Sequence, residues 1–392
     1  MSPLTRRHFC HQLATALGAA LGGVGVSSAA LPQQTVGPLR LLSAGRRLND
    51  GGTTLLTAEF DGRHAEPTVR VFDADFRGHG VVQHPSDPST LLMFARRPGF
   101  KALRVDLENG AVDSAFHLGK DRQAFGHGVF SADGKLLYSC EGEITSGRGL
   151  ICVRETDGFT LLDEWDSGGI GPHELVWMPD DRTLAIANGG LLTRPESGRE
   201  VLNLDTMASN LSYLDTDSGA VIETAPSPHP RASIRHLDVS KSGFVALGMQ
   251  FQRLPKDHGE AAPLVARHRR GEGIRPLAIP DAVNAACDDY IGSVQISSTG
   301  QHAAFSSPRG DLVITADLKA GTFQGFHILH DVCGIGTIPQ TDRFLLTNSQ
   351  GQGRIIEGGD ASEVADTRFH TPGLGWDNHV EIAPRAAASA TV

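Results

Sequence analysis

The chain has 392 residues with 45 acidic and 35 basic side chains, a formal net charge of −10. That balance argues against nucleic acid or an anionic membrane as the main partner and is compatible with cation binding. Aromatic residues make up only 6% while glycine occurs 46 times, which suits many turns between short strands.

The first element in the chain is a targeting segment. Thr5–Cys10 reads TRRHFC, a twin arginine, and is followed by a weakly apolar Ala/Gly run and small residues at Ser27–Ala30. This pattern predicts a twin-arginine signal peptide over residues 1–30 and export of the folded protein to the periplasm. Its removal takes away Arg6 and Arg7 but no acid, leaving a charge of about −12. No other apolar run approaches the ~20 residues of a membrane helix, so no membrane span is expected.

Residues 31–392 read as one domain built from a repeated hairpin. GHGVVQHPSDPSTLLMFARR begins at Gly78, GHGVFSADGKLLYSCEG at Gly126 and GPHELVWMPDDRTLAIANGG at Gly171. IRHLDVSKSGFVALGMQ begins at Ile234, IGSVQISSTGQHAAFSS at Ile291 and VCGIGTIPQTDRFLLTNS at Val332. Each copy is an apolar strand, a polar turn and a second apolar strand. Further strand-like runs follow several copies, such as NLSYLDTDSG and AVIETAPS after the hairpin at Gly171. Four short strands per period of roughly 40 to 63 residues predict an all-β, seven-bladed β-propeller. A final half-copy, WDNHVEIAP at Trp376–Pro384, lacks partner strands, whereas TTLLTAEFDG and PTVRVFDADF near the N-terminus lack an obvious first strand. Pairing the two ends closes the ring and removes an exposed sheet edge.

The starts of the inner strands gather ligand-like residues. Aligning the turns puts His127, Glu174 and His236 in equivalent places, with His379 loosely beside them. His79 and His173 fall one position earlier, level with Arg235, Cys333 and Asn378. One residue of offset reverses a strand side chain, but at a strand start both rows can reach the central channel. Imidazoles with a carboxylate suit iron, copper, zinc or manganese, with iron or copper the expected cofactor. Such binding needs neutral imidazoles and should weaken as pH falls through about 6.5. The competing reading makes these histidines hydrogen-bond tethers between strands. Arg77, Arg96, Arg97, Arg235 and Arg309 offer an anion-recognising rim, or else salt bridges and loop tethers. The long inserts Ala187–Ser209 and Gln250–Glu260 are expected at the same mouth.

Four cysteines follow the signal segment: Cys140, Cys152, Cys287 and Cys333, none in a CxxC spacing. Cys140 with Cys152, and Cys287 with Cys333, can pair or remain buried thiols, and Cys333 can also act as a soft ligand. No GxSxG elbow, P-loop or dinucleotide fingerprint stands in its required context.

RGHG, FARRPG, FGHGVFSADG, GIGPHEL, ANGG, LNLDTM, SIRHL, YIGSV and SPRGD together resemble the bacterial secreted family known as domain of unknown function 1513. GPHELVWMPDDRTLAIANGG with NLSYLDTDSGAVIET is also similar to YVTN-type propeller repeats. The resemblance spans roughly Leu39 to Pro384 and implies a secreted propeller without an established activity. Genes of this type often accompany imelysin-like iron-uptake genes, so imelysin-like or other periplasmic iron-uptake proteins are the partners it implies. The resulting expectation is a periplasmic propeller that binds a metal at its central mouth in support of metal acquisition. The alternatives are a lactonase- or oxidoreductase-like propeller enzyme and a protein-interaction platform without metal.

Overall fold

A computed structural model describes residues 38–61, 66–198, 200–254, 257 and 262–383. The expected signal segment, residues 1–30, lies outside the described residues.

The described residues form seven antiparallel sheets, each a meander in chain order. The repeated hairpin supplies the two inner strands of blades two to seven, for example Gly78–Gln83 with Thr90–Ala95 and Ala232–Val239 with Phe244–Phe251. In blade one the inner position is taken by Leu374–Trp376 and Glu381–Ala383, both paired with Leu39–Arg47. Thr53–Phe60 and Thr68–Asp73 complete that blade. The C-terminus therefore closes the ring on the N-terminus, as the unpaired half-copy predicts. Inner strands touch those of neighbouring blades, and Glu381–Ala383 contacts the inner strands of blades two and seven.

The core lies between blades. Second strands such as Thr183–Asn188 are buried at every residue because sheets cover both of their faces, whereas outer strands such as Val112–His117 are mostly exposed. One cluster joins Leu42, Leu55 and Phe72 of blade one to Val81, Leu91 and Met93 of blade two, and equivalent clusters follow around the ring. Each blade thus brings its own apolar faces, and removing a polar side chain from the channel leaves these contacts in place. The four cysteines among the described residues are buried free thiols, so neither contemplated disulfide is formed.

The inner strands carry a local irregularity that bears on the site. The pairing register shifts between Gly78 and Val81, Ala124 and Gly128, Pro172 and Glu174, Ile234 and His236, and Val332 and Gly334. A bulge inserts an unpaired residue and re-aims side chains, so two consecutive residues can face the same way. Five blades bulge at the same height. There both rows of ligand-like residues reach the axis.

Candidate metal centre

Five imidazoles and one carboxylate meet where the inner strands begin. His79, His127, His173 and His236 are buried, and His379 and Glu174 are nearly so. Their ligand atoms form three groups in which all atoms lie within 4.8 Å of one another: His79–His127–His379, His127–His173–His236 and Glu174–His236–His379. His127, His236 and His379 each belong to two of these groups. An imidazole nitrogen about 2.1 Å from an ion puts its ring centre about 3.2 Å away, so rings sharing one ion stand about 4.5 to 6.4 Å apart. In nine of the ten pairs, all but His173–His379, the ring centres are separated by 4.7 to 6.2 Å. That spacing fits one ion.

The glycines of the GHG sequences make room for this crowding. Gly126 has φ 105°, outside the range L side chains favour, and a Cβ there would lie 2.6 Å from His79 Cδ2. A Cβ on Gly80 would meet the Gly126 carbonyl oxygen at 2.8 Å.

Glu174 organises the inner trio. Its Oε2 stands 3.0 Å from His236 Nδ1 and accepts from the Leu237 N–H at 3.1 Å, while Oε1 stands 3.5 Å from His127 Nδ1. An ionised carboxylate only accepts, so it favours the proton on both Nδ1 atoms and leaves each Nε2 with a lone pair. His127 Nε2 and His236 Nε2 are buried without a hydrogen-bond partner, and so is His379 Nε2. His379 Nδ1 faces Ser293 Oγ at 3.4 Å. Above the trio, Arg235 Nη2 lies 3.4 Å from His173 Nδ1, and His173 Nε2 faces His79 Nε2 at 3.5 Å. These two imidazoles connect the inner trio to the mouth.

The channel is electrically graded. Over the histidines lies a cavity of about 560 Å³ lined by Arg77, Arg235, Arg309, Cys333 and Asn378, with His79 and His173 also in its wall. Arg96 and Arg97 line it as well. The insert after Ala187 contributes Leu191 and Val201, and Gln250 and Gln252 come from the other long insert, so both reach this mouth. Asp238 stands two residues beyond His236 on the same face of Ala232–Val239, and Glu381 two residues beyond His379 at the start of Glu381–Ala383. Sequence reasoning missed both carboxylates. The period of two counted from each histidine is the signal that finds them.

Burial holds His79, His127, His173 and His236 well below the ordinary imidazole value and takes His379 down to about 3. Burial also pushes Glu174, Asp238 and Glu381 up to about 7. Neutral, ligand-ready imidazoles therefore persist below the value of about 6.5 expected for an unperturbed group. The onset of metal loss moves to lower pH than the sequence alone suggests.

These shifts also set the stability of the metal-free protein. A depressed histidine contributes stability above its unfolded pKa of about 6.5, and that contribution is lost as pH falls toward its folded value. A raised carboxylate contributes below about pH 4, and its contribution is lost as pH rises to about 7. Five histidines oppose three carboxylates between these limits. The site's contribution should therefore be greatest near pH 6.5 and fall most steeply below about pH 4, where only the histidine effect remains. Urea midpoints of metal-free protein measured across this range check the order, and a midpoint still rising below pH 4 contradicts it.

Residues 72–383 match the family described as "Protein of unknown function (DUF1513)". No curated protein matches. Among solved structures, the chain is similar to one from Kuenenia stuttgartiensis hydrazine synthase, with TM-score 0.59 and 14% identity, covering 85% of this chain and 99% of that one. It is also similar to a chain of the mitotic checkpoint complex, with TM-score 0.53 and 11% identity over 79% of this chain and 91% of that one. At such identities the likeness shows the fold alone.

Proposed function

The chain belongs to the DUF1513 family, whose description assigns no activity, and we propose from its site that the central channel binds one transition-metal ion. The observation that carries this reading is the set of three overlapping ligand groups at the channel centre, in which His127, His236 and His379 each hold a buried Nε2 without a hydrogen-bond partner. An unpaired buried polar atom is costly, and an ion bound in one of these groups would satisfy the lone pairs that face it. His79 and His173 supply further nitrogens on the mouth side. Imidazole ligands with a carboxylate favour iron or copper over calcium or magnesium.

The wider role we propose is metal handling in the periplasm, accessory to metal acquisition and alongside imelysin-like or other iron-uptake proteins. The twin arginine at Arg6 and Arg7 and the family resemblance support it. The test is elemental analysis of the full-length product recovered from the periplasmic fraction of its bacterial host. About one iron or copper ion per chain is expected. Metal-free protein from that fraction, with no uptake on titration, would favour a docking platform. Recovery only from the cytoplasm would sink the export reading. Turnover on lactone or redox substrates would move the assignment to an enzyme.

A further inference from the structure

We propose that the mouth above the histidines is a binding site for a small polycarboxylate anion. The proposal goes beyond the metal reading because it rests on different side chains. The cavity of about 560 Å³ is lined by Arg46, Arg77, Arg96, Arg97, Arg235 and Arg309, against two acids, Asp331 and Asp377. Such a concentration of positive charge is unexpected on a chain whose net charge is −10. A cleft lined by one sign of charge focuses its field and raises the local concentration of the opposite ion.

Two of these arginines meet an acid of the wall. Asp377 lies 2.8 Å from Arg77 and 3.8 Å from Arg96, so one buried carboxylate is shared between two guanidinium groups. Both arginines raise the tendency of Asp377 to remain ionised, overcoming the effect of its burial. Asp377 thus shows on a protein carboxylate the recognition proposed for the ligand. The remaining arginines come from other blades. Arg46 lies near the end of the strand Leu39–Arg47, Arg235 lies on Ala232–Val239, and Arg309 follows His302–Ser307 with its guanidinium 5.0 Å from the Tyr290 ring centre. Guanidinium forks that approach one space from several directions match a ligand bearing several carboxylates.

Size supports the same class. A cavity of this volume falls in the range of small-molecule pockets, about 300 to 1,000 Å³, and far exceeds the needs of a single phosphate. Asn378 donates to the Tyr290 hydroxyl at 3.2 Å, fixing neutral polar groups in the wall. The wall also contains His79 and His173, so an anion seated here stands next to the histidine cluster. Where an ion is bound below, a carboxylate oxygen of the ligand is available as a further donor.

The test is calorimetric titration of the full-length mature protein, stripped of metal, with tricarballylate and separately with inorganic phosphate. Tricarballylate should bind at least tenfold more tightly than phosphate, with an affinity that falls as salt rises. Arg46→Gln with Arg309→Gln should weaken tricarballylate at least tenfold, whereas the matching Lys pair should recover part of the loss. Neither position touches the histidine cluster, so metal content should be unchanged in both variants. Equal tricarballylate affinity in wild type and the Gln pair overturns the proposal. Phosphate binding as tight as tricarballylate overturns the polycarboxylate assignment. A wild-type protein that binds tricarballylate but takes up no iron or copper on titration would sink the metal reading and leave this one standing.

Discussion

Replacing His127 and His236 together by Ala should abolish stoichiometric metal binding while leaving the metal-free protein folded and about as stable as wild type. The two side chains supply members of all three ligand groups, so no intact group survives the change. Their Nε2 atoms have no hydrogen-bond partner, so in the metal-free state they are buried polar atoms that stabilise nothing. The apolar clusters between blades contain neither residue. Two contacts are lost: Glu174 gives up both imidazole neighbours and keeps the Leu237 N–H. With its pKa already raised to about 7, Glu174 can accept that loss by holding a proton. The tether reading predicts otherwise, because a severed strand-to-strand hydrogen bond costs about 1 to 3 kcal/mol at each buried group. Metal content and thermal melting of the same metal-stripped preparation therefore separate the two. Retained metal, or a melt lowered by many degrees, would falsify the ligand assignment.

Glu174→Gln gives a finer reading of the same site. If Glu174 acted only as a direct ligand, Gln would keep an oxygen and the loss would be mild. The geometry gives it a second task, accepting from His236 Nδ1 at 3.0 Å while its other oxygen faces His127 Nδ1 at 3.5 Å. A carboxamide has one accepting oxygen and one donating nitrogen, so it satisfies one histidine and opposes the other. The opposed ring turns to the other tautomer and puts its proton on Nε2. A loss of about 10- to 100-fold in affinity is then expected, the usual effect of disturbing a carboxylate behind a metal-bound histidine.

The fold was legible because a propeller repeats one hairpin and the repeat survives in the turns SADG, MPDD and SKSG. The phase of the ligand rows was harder to read. A bulge adds one residue to a strand without changing its composition, so nothing in PHEL or IRHL shows that both neighbours face the axis. Gly80 and Gly126 gave a partial signal, since a Cβ on either would crowd a neighbouring imidazole. Asp238 and Glu381 escaped notice because a carboxylate in an acidic chain reads as surface. Their place inside the ring depends on its closure, which no single repeat encodes. The cysteine pairings stayed open for a related reason: Cys140 and Cys152 lie on adjacent strands, but opposite Ile151 and Ser139 rather than each other.

Truncation before Trp376 should cost the protein its cooperative melt. The lost segment supplies most of the inner strand of blade one, including Gly45 paired with Trp376 and Leu41 with Ile382. It also removes Trp376, Val380 and Ala383, all at most 5% exposed. Losing a buried Trp alone costs about 3 to 5 kcal/mol, against a total stability of about 5 to 15 kcal/mol for a domain. Neighbouring strands cannot collapse into the gap without exposing apolar surface. A Cβ on Gly336 would lie 2.7 Å from Ile382 Cγ1, which shows how closely blade seven is built against this segment. Its departure uncovers the face of blade seven that carries Gly334 and Gly336 and leaves one edge of Leu39–Arg47 largely unpaired, open to pairing with another chain. The expected product is an aggregating protein, or one with a broad, low-amplitude transition by calorimetry. Trp376→Ala, which keeps the backbone pairing, should lower the melting temperature but preserve a single sharp transition. A truncated chain that melts like wild type would show that the ring does not depend on its C-terminal strand. A Trp376→Ala protein that behaves like the truncated one would place the dependence in that side chain and not in the strand.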